Sequence, residues 1–217
     1  MATGFDADRR RAELAEAVGR VLVRDGIGAV SLRSVAAEAG VALGSLRYVF
    51  PTRTDLVVGA AEHMLAQSRS RLAAVRRGRS ARSYAEEVAR SLLPLTERTR
   101  ADLEINVALI AESRAVPGLR AVRDEVKAGV REGAEGIVRL LRSDPPAAGP
   151  LTGHEHRAAV RLHALLDGFA IDLLHYEETG PAWDARAAEA WVVLAEELDR
   201  IAAGPGTPTP PAPRSEG

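Results

Sequence analysis

Two kinds of chemistry are open to the polar side chains of this sequence. One is proton or metal chemistry at histidines and carboxylates; the other is anion recognition at arginines. The first fails on spacing. His154, Glu155 and His156 are consecutive, and residues two apart on a helix do not face together, so they read as solvated side chains in a first helical turn. His163 and Asp167 stand four apart and read as a hydrogen-bonded pair, because no nucleophile accompanies them. Gly26-Ile27-Gly28 lies in no strand–helix unit and is a turn, not a phosphate cradle. There is no cysteine, which excludes disulfides and thiolate zinc sites. No enzyme chemistry, metal or cofactor is indicated.

Anion recognition fares better. Residues 1–83 carry a net charge of +6 and residues 84–217 one of −7, which together give the whole-chain value of −1. A basic head on an acidic body is the distribution of a protein whose N-terminal part meets nucleic acid; a merely solvated Arg-rich helix is the plain alternative. Arg9, Arg10 and Arg11 open the first predicted helix, where the helix dipole disfavours positive charge. A basic arm reaching DNA and a frayed, solvated end explain that placement equally.

The elements that must position these charges centre on Ser31–Leu56, SLRSVAAEAGVALGSLRYVFPTRTDL. Ser31 can cap a short helix, with Val35, Ala36 and Ala39 on one face. Gly40 suits a left-handed turn. A second short helix follows, in which Leu46 and Phe50, four apart, face the core. Pro51 stops it, and Thr52 with Asp55 forms a capping box for a third helix. Two helices across a Gly turn make a helix-turn-helix, whose second helix enters the DNA major groove. Before it, Leu14, Val18, Val21 and Leu22 predict a helix over 8–25, with residues 1–7 disordered.

The remainder predicts an all-α chain. A linking helix runs to about Val75, and further helices fall at about 81–93, 98–115, 118–143, 153–177 and 184–203. Thr152 and Glu155 form another capping box. Gly129, Gly133 and Gly136 cost about 1 kcal/mol each against Ala inside a helix, so they mark close packing or a bend. The predicted division is a DNA-binding domain at 1–53, a linking helix at 54–79, a regulatory and dimerisation domain at 80–203 and a disordered tail at 204–217. No apolar stretch approaches a membrane span and no signal segment is present, so a cytoplasmic protein is expected.

Ala37-Glu-Ala-Gly-Val41, Gly44-Ser-Leu46 and Phe50-Pro-Thr-Arg-Thr-Asp-Leu56, with a helix before and a long helix after, resemble the DNA-binding domain of TetR-type transcriptional regulators over roughly residues 8–65. Around Leu166-Asp-Gly-Phe169 there is a looser likeness to the BetI-type subgroup. The position after Leu46, usually Tyr in that family, is Arg47, and the aromatic follows at Tyr48. The residues expected at DNA are Ser31, Arg33, Leu43, Gly44, Ser45, Arg47, Tyr48, Thr52 and Arg53. Ser45 can contact a base edge or phosphate, Arg47 guanine or phosphate, and Leu43 a thymine methyl, while Gly44 lets the backbone come close; phosphate contact is open to the helix starts, Arg33 and Tyr48. Arg53 matches the family's basic phosphate contact. Packing against the first helix is the other reading of Tyr48.

Ala187, Trp191, Leu194, Leu198 and Ile201 recur at spacings of four and three, a seam that wants a partner helix. Over 153–177, Val160, Ala164, Asp167 and Ile171 form one stripe and Leu162, Leu166, Phe169 and Leu173 another. The resemblance implies that these two helices of each subunit build a four-helix dimer interface; the alternative is that both stripes are consumed within one subunit. It also implies a small-molecule pocket within 81–177 whose occupation shifts the linking helix. Candidate lining residues are Leu92, Leu103, Asn106, Val107, Ile110, His163, Leu166, Asp167 and Phe169, and the few aromatics disfavour a large flat ligand. The expected function is a homodimeric regulator, a repressor that binds a palindromic double-stranded DNA operator and is released by a small-molecule effector. A helical ligand-binding or protein-interaction module without DNA binding is the alternative.

Overall fold

The computed structural model describes residues 2–75, 80–142, 149–176 and 180–204, and among these all regular structure is helical. Helix α1 spans Ala2–Asp25, α2 Leu32–Glu38, α3 Leu43–Val49 and α4 Arg53–Ala74. Then come α5 (Ala81–Ser91), α6 (Glu97–Glu112), α7 (Gly118–Arg142), α8 (Gly153–Leu174) and α9 (Pro181–Ala203). A 3-10 turn at Ile27–Ala29 joins α1 to α2. The all-α expectation holds. The tail beyond Gly204 falls outside the described residues.

Local chemistry explains most of the starts. Ser31 with Ser34, Thr52 with Asp55, and Thr152 with Glu155 are reciprocal capping boxes, as are Ser80 with Ser83 and Thr96 with Thr99. Each satisfies two backbone donors that a helix start leaves orphaned. α9 begins with Pro181, whose missing N–H is no loss at the first helical position. Gly40 takes φ +64 in the turn between α2 and α3, where a side chain would be strained. One expectation is corrected: α1 begins at Ala2 and not near Asp8. Extending a formed helix adds a hydrogen bond per residue fixed and needs no new nucleus.

Two apolar cores result. The first gathers Leu14, Val18, Val21, Val35, Leu46, Phe50, Leu56 and Ala61 from α1–α4, and it continues into Ile105 and Leu109 of α6 and Leu119 of α7. The second joins Ala85, Val88 and Leu93 to Ile137, Val138, Leu162, Leu166, Leu194, Leu198 and Ile201. α4 belongs to both ends of the molecule: Leu56–Leu65 complete the first core, while Leu72 packs on the second. Gly59 makes room for Phe50, since a Cβ there would lie 2.3 Å from the ring. α7 runs unbroken through Gly129, Gly133 and Gly136; only at Gly133 does a side chain stand near, with Leu92 3.4 Å from where a Cβ would be.

Candidate nucleic-acid interface and ligand cavity

The seven residues of α3 divide sharply. Leu46 is fully buried and holds the helix to the core, with Phe50 just past its end. Leu43 and Val49 are half-buried flankers, while Gly44, Ser45, Arg47 and Tyr48 are exposed. Tyr48 is 91% exposed, so it does not pack against α1. An aromatic ring left in water at the end of a pinned helix is free for a partner. Arg33 on α2 and Arg47 on α3 are exposed and have no ion pair or hydrogen bond among the described residues. Such unengaged guanidiniums can take phosphate or guanine without first breaking a bond.

Other predicted residues are already engaged. The Ser31 hydroxyl accepts from the Ser34 backbone N–H at 3.1 Å, and the Thr52 hydroxyl donates to Asp55 at 2.6 Å. Arg53 turns inward: its Nε donates to the Val30 carbonyl at 3.0 Å and Nη2 to the Ile27 carbonyl at 2.9 Å. Two of a guanidinium's five donors therefore brace the first turn of α4 against the 3-10 turn. The resemblance signalled a cation at this position; the spacing carried nothing about where its donors go.

The start of α1 meets the end of α3. Ala7, Arg10, Arg11, Tyr48 and Val49 line a shallow groove there. Arg11 lies over the Phe50 ring at 4.6 Å from its centroid and reaches Glu62 at 3.4 Å. Arg9 and Arg10 stand 3.8 and 3.5 Å from Glu13. The α1–α2 corner is clamped by Glu38, whose carboxylate accepts from Arg24 and Arg20 at 2.7 Å each. These two guanidiniums, Arg24 first, hold the Glu38 carboxyl below its ordinary value of 4.5. Its partners in turn raise the Arg24 guanidinium, Asp25 contributing most.

Farther along α4 lies a cavity of about 150 Å³, walled by Met64, Leu65, Leu72, Leu92, Leu93, Leu103, Val126 and Val130. Its polar end is built from Ser68 and Arg71 of α4 with Asp102 of α6. Arg71 Nη2 donates to Asp102 and, at 2.9 Å, to Ser68. Of the nine residues expected to line a pocket, Leu92, Leu103 and Asn106 do so. The other six do not line this cavity, four of them because α8 contributes no residue to it. Val107 and Ile110 are exposed, Leu166 is in the second core, and Phe169 lies beneath Arg186. His163 pairs with the exposed Asp167 at 3.1 Å on α8. Arg71 and Asp102 stand 31 residues apart, a pairing that only the fold creates and that no local sequence signal marks.

Most of the predicted dimer seam is buried within the single chain. Leu194 and Leu198 are fully buried and Ile201 is 3% exposed within this single chain. Trp191 is half-buried, with Arg90 3.6 Å over its ring. These residues are spent on the second core, because α9 turns that stripe toward α5, α7 and α8. The apolar side chains left open are Val192 and Val193 on α9, with Val160 and Ile171 of the predicted α8 stripe. Glu197 of α9 is buried beside them with Arg161 and Arg200 as partners.

Among the described residues no helix is long and apolar enough to cross a membrane, and no three His, Asp or Glu side chains gather as a metal site. Comparison with known proteins adds the following. A family model described as the C-terminal part of BetI-type transcriptional repressors matches residues 81–203. The HTH-type transcriptional regulator PksA of Bacillus subtilis (strain 168) is 27% identical over 168 residues, 77% of this chain and 80% of that protein. A transcriptional regulator from Rhodococcus sp. Rha1 shares the fold with a TM-score of 0.67 and 23% identity, over 89% of this chain and 94% of the other. A protein from Saccharomonospora viridis solved in complex with choline has a TM-score of 0.71 at 20% identity, over 86% and 96% of the two chains.

Proposed function

The chain belongs to the BetI-type group of TetR-like transcriptional regulators, and on that premise we propose that it is a dimeric repressor released from its operator by a small molecule. The observation that carries this reading is the architecture of α4. Its first turn braces the helix-turn-helix through Arg53, and its last turns wall the cavity through Ser68, Arg71 and Leu72. The 18 residue steps from Arg53 to Arg71 span about 27 Å at 1.5 Å per residue. A helix has little give along its axis, so a shift of α4 at the cavity is felt at the DNA-binding unit.

In this reading α3 enters the major groove with Ser45 and Arg47 toward base edges and Tyr48 toward phosphate. Arg33 and the basic start of α1 add sequence-independent attraction. Two subunits joined through the open faces of α8 and α9 present two such helices, which read an inverted repeat. The choline-bound relative supports a small-molecule role for the body of this fold.

Selection of bound fragments from random DNA at about 150 mM salt, where non-specific binding is weak, tests the proposal. Enrichment of one inverted repeat is the expected result. A folded dimer that enriches nothing would favour a helical module that does not bind DNA.

A further inference from the structure

We propose that the cavity beside α4 takes a compact apolar monocarboxylate, with its carboxylate on the free edge of Arg71. The proposal rests on the cavity being the effector site and names the class of molecule it admits.

Size comes first. About 150 Å³ is the volume of an apolar cavity that accommodates benzene. The walls are aliphatic, with no aromatic side chain lining them, so they suit a compact hydrocarbon body without stacking. Charge then sets the class. Asp102 is the one carboxylate lining the cavity, and its side chain is 11% exposed. It already has two cations: Arg71 on one oxygen and Arg98 3.7 Å from the other. The remaining lining cation, Arg69, is matched by Glu125. Arg98 stands outside the cavity lining, and counting it Asp102 has one guanidinium more than its charge requires. A cationic ligand would have to expel Arg71 to reach Asp102, whereas an anion completes the balance.

Donor geometry agrees with the charge. Arg71 uses only Nη2, toward Asp102 and Ser68. Its Nε and Nη1 have no hydrogen-bond partner among the described residues, and its side chain is 32% exposed. A guanidinium with unused donors at the end of an apolar cavity recognises a carboxylate by charge-assisted bonds.

Calorimetry on the full chain with benzoate, benzylammonium and benzyl alcohol separates the classes. Benzoate should bind and benzylammonium should not. Arg71→Ala should weaken benzoate by about tenfold or more, the loss of a charged hydrogen bond, and Arg71→Gln, which can still donate to Asp102, gives the same reading if the alanine variant does not fold. Asp102→Asn is the sharper arm. Removing the competing carboxylate should tighten benzoate, whereas a cation site would lose its ligand. Preferential binding of benzylammonium, benzoate binding indifferent to Arg71, or binding of none of the three overturns the proposal. Release of the selected DNA fragment is read separately. Benzoate that binds without releasing DNA keeps the ligand class and removes the effector role.

Discussion

Arg53 and Arg47 are both cations next to the recognition helix, and only geometry separates their work. Arg53 spends Nε and Nη2 on the carbonyls of Val30 and Ile27, so it acts first as a brace. Arg47 is exposed and unengaged among the described residues. We therefore expect Arg53→Ala to cost about 1.5–3 kcal/mol, as hydrogen bonds to a charged group do, and to weaken DNA binding without changing its salt dependence. Arg47→Ala should leave thermal stability unchanged, weaken binding to the selected operator by about 1–3 kcal/mol and relax the base preference at one position. Melting curves and binding isotherms at several salt concentrations decide this. A drop of about one in the Arg53→Ala slope would return that residue to direct phosphate contact. The sequence could place both arginines by their motif, but it could not tell inward from outward donors, because that depends on carbonyls more than twenty residues away.

At the scale of elements, the helix-turn-helix was legible because its signals are local: a cap, a turn glycine, a proline stop and apolar residues four apart. What escaped was the tertiary fit. Gly59 seats the Phe50 ring against α4, and a methyl group there would collide with it at 2.3 Å. Gly59→Ala should therefore destabilise by about 1–3 kcal/mol through overpacking, despite the better helix propensity of Ala. Gly136, in the same kind of sequence context but exposed and with nothing nearby, should gain about 1 kcal/mol on the same substitution. Urea denaturation of the two variants tests the contrast, which propensity alone would score as two gains. The α1–α2 clamp adds a pH signature. The Glu38 carboxyl is held below its unfolded value by Arg24 and Arg20, so its contribution is fully present above pH 4.5 and is lost as pH falls through the depressed value. Wild type should outlast Glu38→Gln in urea at neutral pH, and the gap should close in acid. A gap constant down to pH 3 would show that the clamp works by shape, not charge.

At the scale of the whole molecule, the apolar stripe of α9 is largely consumed inside the subunit. Helical periodicity shows that a face is apolar, not which neighbour covers it, and here Leu194, Leu198 and Ile201 are covered by the subunit's own α5, α7 and α8. A charge at Leu194 would therefore report on folding: Leu194→Asp should give an unfolded or aggregated chain. The outer residues report on assembly. Val160, Ile171, Val192 and Val193 are between 36% and 56% exposed on α8 and α9, and such apolar side chains gain by being covered. Val160→Asp combined with Val192→Asp should thus keep helical content and melting temperature near wild type while sedimenting as a monomer. Because one recognition helix reads only half of an inverted repeat, that monomer should also bind the selected fragment far more weakly than wild type, with half-site affinity unchanged. A variant that still sediments as a dimer would place the twofold on another face of the body and leave α8 and α9 open for a different partner.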